Sequence, residues 1–162
     1  MGSVAAELQS PFAHRSVVEF KMLGAVEVVD DSGPLPLGGP QVLAWPMDPA
    51  TKTIRNGTSL NQVILVKLDP ASLDDDTRAR SAEGVVAYSA VCKHAQCPVN
   101  GWIAEKQVLH CFCHDSQYDP RHGAKVVFGP APRSLPALPV QIVDGVLMAA
   151  GTFLGKVGQK QT

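Results

Sequence analysis

The sequence lacks the features that would mark a nucleic-acid-binding or membrane-spanning chain. Its 162 residues carry a formal net charge of -1, with 14 Lys and Arg against 15 Asp and Glu. That balance gives no electrostatic basis for binding nucleic acid or an anionic membrane surface. No run of eighteen apolar residues occurs, so we expect no segment of this sequence to span a bilayer. Met1-Gly2-Ser3 is typical of an expression start, which is compatible with the removal of a targeting or anchor segment.

Aromatic residues and long helical patterns are also scarce. Phe, Trp and Tyr make up 6% of the chain, and 13 prolines and 14 glycines leave little room for long helices. Residues 72–80 predict one short helix with a solvated acidic face, and the Gly- and Pro-rich residues 33–49 predict an extended loop. Four apolar segments predict strands, namely 63–68, 84–88, 138–143 and 146–149. The last two flank Asp144-Gly145, which is a hairpin signal.

Cysteine and histidine are few, but they are concentrated in two short segments. All four cysteines and two of the five histidines lie within residues 92–97 and 111–119. The pattern is C-x-H, sixteen residues, and C-x-x-H, with one additional Cys inside each half. A structural zinc ion is one alternative, because Cys and His are its usual ligands. Zinc sites usually use C-x-x-C pairs, however, and would not need the two surplus thiols or the hydroxyls of Ser116 and Tyr118.

The pattern resembles the cluster-binding signature of Rieske iron-sulfur proteins. The resemblance implies one Rieske-type [2Fe-2S] cluster per chain, with one iron bound by two cysteines and the other by two histidines. Two imidazoles in place of two thiolates remove two negative charges from the ligand set, which favours electron gain and raises the potential. The implied metal ligands are Cys92, His94, Cys111 and His114.

The two surplus cysteines match the high-potential branch of this family. The resemblance implies a disulfide between Cys97 and Cys113 that joins the two cluster loops. Closing a loop of about fifteen residues is worth roughly 3 kcal/mol in the chain-entropy model. A structural disulfide persists in oxidising compartments, so the protein is expected in the periplasm or another p-side space, with a membrane anchor in the full-length form as a further possibility.

Three further features fit the same branch. The resemblance implies that the hydroxyl of Ser116 donates a hydrogen bond to a bridging sulfide and that Tyr118 donates to the sulfur of a ligand cysteine. The segment Gly129-Pro130-Ala131-Pro132 looks like the proline loop that covers the cluster in cytochrome bc complexes, because proline fixes the backbone angle and glycine permits the turn. The resemblance covers roughly residues 88–139.

The family's architecture implies an all-β fold, with an antiparallel β sandwich or barrel as base domain and a small cluster-binding subdomain inserted into it. We predict a single Rieske domain over residues 1–162, with the subdomain at about 88–139 and a flexible N-terminus at 1–15. The other three histidines are not expected to bind metal: His14 lies in the flexible start, His110 at a surface strand position and His122 in a turn.

The function that this resemblance implies is one-electron transfer, coupled to a proton, within a respiratory oxidoreductase. No independent catalytic site is evident in the sequence. The expected partners are redox proteins, namely the cytochrome b and c subunits of a bc-type complex, with quinol as a candidate electron donor. The potential is expected in the upper part of the Rieske range of roughly -150 to +300 mV.

Other positions favour a different partner. Five residues near the ligands differ from the bc pattern, namely Lys93, Ala95, Gln96, Phe112 and Asp115. The stretch from Val86 to Ser89 and the polar insertion before it are similar to the small Rieske subunit of arsenite oxidase. A periplasmic molybdenum oxidase or another dehydrogenase subunit is therefore the alternative partner. A Rieske ferredoxin of an oxygenase is disfavoured by the extra cysteine pair, and a zinc-stabilised binding module is the remaining alternative.

Overall fold

The computed structural model describes residues 18–22, 35–47, 57–93, 97–143 and 146–157. These residues contain ten strands, one α-helix and three short 3-10 turns. No helix among them is long and apolar enough to cross a bilayer. The α-helix, α1, spans Asp75–Ala79. The strands are β1 (Val18–Met22), β2 (Val42–Met47), β3 (Val63–Lys67), β4 (Val85–Ser89), β5 (Gly101–Ile103), β6 (Val108–His110), β7 (Gln117–Asp119), β8 (Lys125–Phe128), β9 (Val140–Val143) and β10 (Val146–Ala149).

The strands form two sheets. One has six strands in the order β4-β3-β2-β1-β10-β9, and the other has four in the order β5-β6-β7-β8. Every named strand pair is antiparallel. The all-β fold predicted from the sequence is confirmed. The four-stranded sheet lies between β4 and β9 in the chain, and the subdomain boundaries at about 88 and 139 stay a prediction.

Strands β3 and β4 lie between two hydrophobic cores, so both faces of each strand are buried. Every residue of β3 and of β4 is buried. Val63 and Leu65 pack in one hydrophobic core with residues of β9 and β10, whereas Ile64 and Val66 pack in a second core with residues of β6 and β7. Successive side chains of a strand point to opposite faces, so a strand shared by two cores must be apolar throughout. This is why residues 63–66 form an uninterrupted apolar run.

The four predicted strands are all present, within one or two residues of their predicted ends, as β3, β4, β9 and β10. The hairpin signal Asp144-Gly145 lies outside the described residues. The predicted helix is shorter than expected, because a 3-10 turn at Pro70–Ser72 precedes α1. Asp74 caps α1 by accepting a hydrogen bond from the Thr77 amide at 2.8 Å, and hydrogen bonding to Thr77 lowers the pKa of Asp74.

The prediction of an extended loop over residues 33–49 is wrong for its second half, which forms β2. Only Val42, Leu43 and Ala44 pair with β3, and Pro46 lies beyond them, so its missing N–H does not interrupt that ladder. Ala44 is fully buried in the first core. Packing against β1 and β3 therefore outweighs the local signal of the glycines and prolines.

A buried tyrosine ties the two sheets together. The hydroxyl of Tyr88, on β4, donates a hydrogen bond of 2.7 Å to the carbonyl of Pro120. Pro120 begins the 3-10 turn Pro120–His122 that follows β7. Tyr88 is buried, which raises its pKa and keeps it protonated as a donor. The contact fixes the four-stranded sheet against the larger one.

Candidate metal centre

Each cysteine-containing segment is a loop that closes on its own first cysteine. The first loop follows β4, and the amide of Cys92 donates to the carbonyl of Cys97 at 2.8 Å. The second connects β6 to β7, and the amide of Cys111 donates to the carbonyl of Ser116 at 2.9 Å. The amide of Asp115 also donates to the carbonyl of Cys111, at 3.0 Å. These hydrogen bonds hold Cys92 and Cys111 in the chain segments that follow β4 and β6.

The first cysteines of the two loops are buried and are not part of a disulfide. Cys92 and Cys111 are each 1% exposed, and their side chains interact with each other. Burial raises the pKa of Cys111, and the neighbouring Cys92 raises it further, whereas the amides of Cys113 and His114 oppose the shift. Such amide donors favour the thiolate, which is the form that binds metal.

The second cysteines of the two loops form a disulfide, Cys97–Cys113, with a Cα–Cα distance of 6.4 Å. The sulfurs of Cys97, Cys111 and Cys113 lie within 4.8 Å of one another. These three do not form a metal site, because two of the sulfurs are bonded to each other. Among the described residues, the thiols left to bind metal are therefore those of Cys92 and Cys111.

The two predicted histidine ligands differ in what the structure describes. His94, with Ala95 and Gln96, lies outside the described residues. His114 lies in the second loop and is exposed. An exposed imidazole in that position can bind a metal at the protein surface.

The remaining histidines occupy other environments. His110 is half-buried on β6, with its Nε2 against the carboxylate of Asp115 and its ring edge-on to Phe112 at 4.6 Å between centroids. His122 lies in the 3-10 turn after β7, with Nδ1 3.0 Å from a carboxylate oxygen of Asp119. His14 lies outside the described residues. His110 and His122 therefore each contact a carboxylate, His110 from a strand and His122 from a turn.

Tyr118 places its hydroxyl against the sulfur of Cys92, which is one of the four predicted metal ligands. Its Oη lies 3.3 Å from Sγ of Cys92 and accepts a hydrogen bond of 3.2 Å from the amide of Lys93. Because that amide is the donor to Oη, the hydroxyl proton is available to the sulfur. Tyr118 is fully buried, and burial raises its pKa, so the donor stays protonated.

Ser116 is held in place by the proline loop. Its Oγ accepts a hydrogen bond of 3.2 Å from the amide of Ala131, which leaves the hydroxyl proton available to a second acceptor. Ser116 is fully buried. Gly129 packs directly on the second cysteine loop, because a Cβ at this position would lie 2.5 Å from the Cα of Ser116. The segment 129–132 therefore lies against that loop, and Pro130 and Pro132 are exposed.

We expect Gly129→Ala to destabilise the protein strongly. Gly129 has φ of +93°, and the new methyl would collide with the backbone of Asp115 and Ser116. The backbone conformation alone costs about 1 to 3 kcal/mol in a non-glycine residue. Urea unfolding would measure the loss. Gly151→Ala is the matched control, because its Cβ would meet only Pro139 at an ordinary 3.7 Å. Equal stability of the two variants would contradict this account.

Sequence reasoning did not identify the environment of Lys93. This residue lies between two predicted ligands, yet it is 2% exposed and its Nζ donates to the carbonyl of Lys156. Burial lowers the pKa of Lys93, and the positive charges of Arg133 and Lys156 lower it further. Nothing in the local sequence distinguishes it from an ordinary surface lysine, because its neighbours come from distant segments.

The described donors fit a cluster with mixed thiolate and imidazole ligands. Cys92 and Cys111 supply two adjacent buried thiols, and His114 supplies an exposed imidazole. Tyr118 places a hydroxyl donor on the sulfur of Cys92, and Ser116 places a second hydroxyl in the loop that carries Cys111. Donors aimed at sulfur stabilise negative charge on the ligands and on inorganic sulfide, a role that a structural zinc ion does not require.

Comparisons with known proteins point to the same chemistry. A family model described as "Rieske [2Fe-2S] domain" matches residues 49–139. The cytochrome bc1 complex Rieske iron-sulfur subunit of Streptomyces lividans is 41% identical over 100 residues, which cover 59% of this chain and 58% of the relative. The subunit of the same name from Corynebacterium glutamicum is 38% identical over 104 residues, covering 60% of this chain and 26% of the relative.

One solved structure gives a partial match. The soluble domain of Rieske protein II from Sulfolobus acidocaldarius has 26% identity and a TM-score of 0.46, with coverage of 55% of this chain and 61% of that one. The matched region spans less than two thirds of the length of each of these relatives.

Proposed function

Because this chain belongs to the Rieske [2Fe-2S] domain family, we propose that it is a high-potential, one-electron carrier in a respiratory complex of the cytochrome bc type. When bound, the cluster accepts and releases one electron at a time. The observation that carries the proposal is the contact of 3.3 Å between the Tyr118 hydroxyl and Sγ of Cys92. A buried donor on a ligand sulfur favours the more negative, reduced state and so raises the potential.

The ligand set that we propose is Cys92 and Cys111 on one iron and His94 and His114 on the other. The two cysteines are supported by their burial, their mutual contact and the disulfide that removes the other two thiols. His114 is supported by its position three residues after Cys111 in a loop that the Asp115 amide closes. His94 rests on its spacing from Cys92 in the sequence.

We expect Tyr118→Phe and Ser116→Ala each to lower the midpoint potential without loss of the cluster. If one hydroxyl stabilises the reduced state by about 1 kcal/mol more than the oxidised state, its removal lowers the potential by roughly 40 mV, since one electron corresponds to about 59 mV per tenfold. Redox titration of the purified variants would measure the shift. An unchanged midpoint with full iron content would remove this role from the residue concerned.

The exposure of His114 leads to a prediction on pH. A metal-bound imidazole that faces solvent can release its remaining N–H proton when the iron is ferric and take it back when the iron is reduced. We therefore expect the midpoint to stay level at neutral pH and to fall as the pH rises into the alkaline range. Voltammetry from pH 6 to 10 would measure this, and a level profile up to pH 10 would contradict histidine ligation at an exposed position.

We also propose that the protein works in the periplasm or another oxidising space on the p-side of a membrane. The disulfide Cys97–Cys113 supports this, because reducing compartments do not preserve structural disulfides. The named relatives are subunits of cytochrome bc1 complexes, so we propose cytochrome b and cytochrome c subunits as partners and quinol as electron donor.

Purification of the protein with its assembly from detergent-solubilised membranes of its source would test these partners. A b-type haem spectrum and absence of molybdenum are the expected result. Stoichiometric molybdenum without haem b would overturn the bc assignment and favour the oxidase alternative, which Ala95 and the polar insertion before Val86 favour. The cluster chemistry would remain the same in either assembly.

A further inference from the structure

Four basic residues surround a single cavity beside the first cysteine loop. The cavity has a volume of about 320 Å³. No Asp or Glu is found among the described residues that line it. The basic residues of the lining are Arg80, Lys93, Arg133 and Lys156.

These cations come from four distant parts of the chain. Arg80 ends α1, Lys93 lies in the first cysteine loop, Arg133 follows the proline loop and Lys156 follows β10. The fold therefore brings these four basic residues together. They are not a local run of charge of the kind that usually forms a solvated face. Residues 134–137 and Leu154 complete much of the wall.

The arrangement leaves positive charge in partly dry surroundings without a facing carboxylate. Lys93 is 2% exposed, and its Nζ has three protons, of which one is donated to the carbonyl of Lys156. Arg133 and Lys156 are exposed, so their charges reach both the cavity and solvent. Asp74 is near enough to Arg80 to be affected by its charge, but Asp74 is not part of the lining. Buried charges are normally paired, and Lys93 is buried beside a cavity whose described lining contains no carboxylate.

We propose that this cavity is a binding site for a phosphate group. Lys and Arg are the residues that recognise phosphate, Lys as a compact charge and Arg through a planar set of donors. A group with up to two negative charges matches a lining with four basic residues better than a monocarboxylate does. The volume lies at the lower end of the range for small-molecule sites, so the cavity suits inorganic phosphate, a small phosphate ester or a lipid headgroup.

Calorimetric titration of inorganic phosphate into the holoprotein tests the proposal. We expect binding of one phosphate per chain that weakens as salt is added. The double variant Arg133→Gln/Lys156→Gln should bind phosphate at least tenfold more weakly. The matched control is Lys106→Gln/Lys125→Gln, which removes the same charge from two exposed lysines outside the lining and should change affinity less than twofold.

Three results would overturn the proposal. The first is that the protein binds neither phosphate nor the lipid vesicles described next. The second is that phosphate affinity falls equally in both double variants, and the third is that acetate binds as tightly as phosphate. Co-sedimentation with phosphatidylglycerol vesicles distinguishes the sources of the phosphate group. Retention that is lost in Arg133→Gln/Lys156→Gln and kept in the control would support a lipid headgroup, whereas calorimetric binding without retention would support a soluble phosphate. Neither readout depends on the identity of the electron donor.

Discussion

Cys111→Ser is expected to yield protein that has lost its cluster. Cys111 is 1% exposed and lies against Cys92, so a serine in its place would offer the metal a much poorer ligand. Among the described residues, Cys92 is the one other cysteine outside the disulfide, and it is itself a proposed ligand. We expect less than about a tenth of the wild-type iron and loss of the visible absorbance, because cluster binding requires the thiolate. Iron and acid-labile sulfide assays on the purified variant would measure this.

A histidine pair gives the matched control for ligand loss. His114→Asn should lose the cluster as Cys111→Ser does, whereas His110→Asn should keep it, although His110 is the direct neighbour of Cys111 in sequence. The His110 ring contacts Asp115 and Phe112 and belongs to β6. Full iron in Cys111→Ser, or loss of iron in His110→Asn alone, would contradict the proposed ligand set.

Removal of the disulfide is expected to have the second large effect. The double variant Cys97→Ala/Cys113→Ala opens a link between residues 16 apart, and the chain-entropy model gives about 3 kcal/mol for a loop of this size. The link also joins the two loops that carry the proposed ligands, so we expect faster loss of iron on dilution into a chelator. Urea unfolding would measure the loss of stability. The rate of iron release into the chelator would measure how far the disulfide slows loss of the cluster.

A reducing agent provides the control for this prediction. Addition of a phosphine reductant should destabilise the wild-type protein to the level of the double variant and leave the double variant unchanged. A difference of less than about 0.5 kcal/mol between the two proteins would show that the loops are held by other contacts. The hydrogen bond from Cys92 to the carbonyl of Cys97 and that from Cys111 to Ser116 are the local alternatives.

The parts of the centre that the sequence predicted are those determined by local chemistry. The spacing of Cys92, Cys97, Cys111 and Cys113 fixes which thiols share a loop, and the structure contains the disulfide that the resemblance implied. The contact of Tyr118 with Cys92 joins residues 26 apart, and only the resemblance to a known family indicated it. His94 lies outside the described residues, so its role remains a prediction.

The parts that the sequence did not predict depend on packing between distant segments. Residues 63–68 and 84–88 were predicted as core strands, but their apolar runs could not show that each strand faces two separate cores. The strand at Val42–Met47 was missed because residues 33–49 around it are rich in glycine and proline, which indicates a loop, and only its pairing with β1 and β3 favours a strand. The burial of Lys93 and the cationic cavity arise from four remote segments that no local pattern connects.

The central claim is that this chain binds a high-potential Rieske cluster. Its most direct test is the midpoint potential of the purified protein at pH 7, with iron, acid-labile sulfide and zinc assayed on the same sample. We expect two irons and two sulfides per chain, no stoichiometric zinc and a positive midpoint potential. A redox-silent protein that contains zinc would contradict cluster binding, and a clearly negative midpoint would contradict the high-potential assignment that rests on Ser116 and Tyr118.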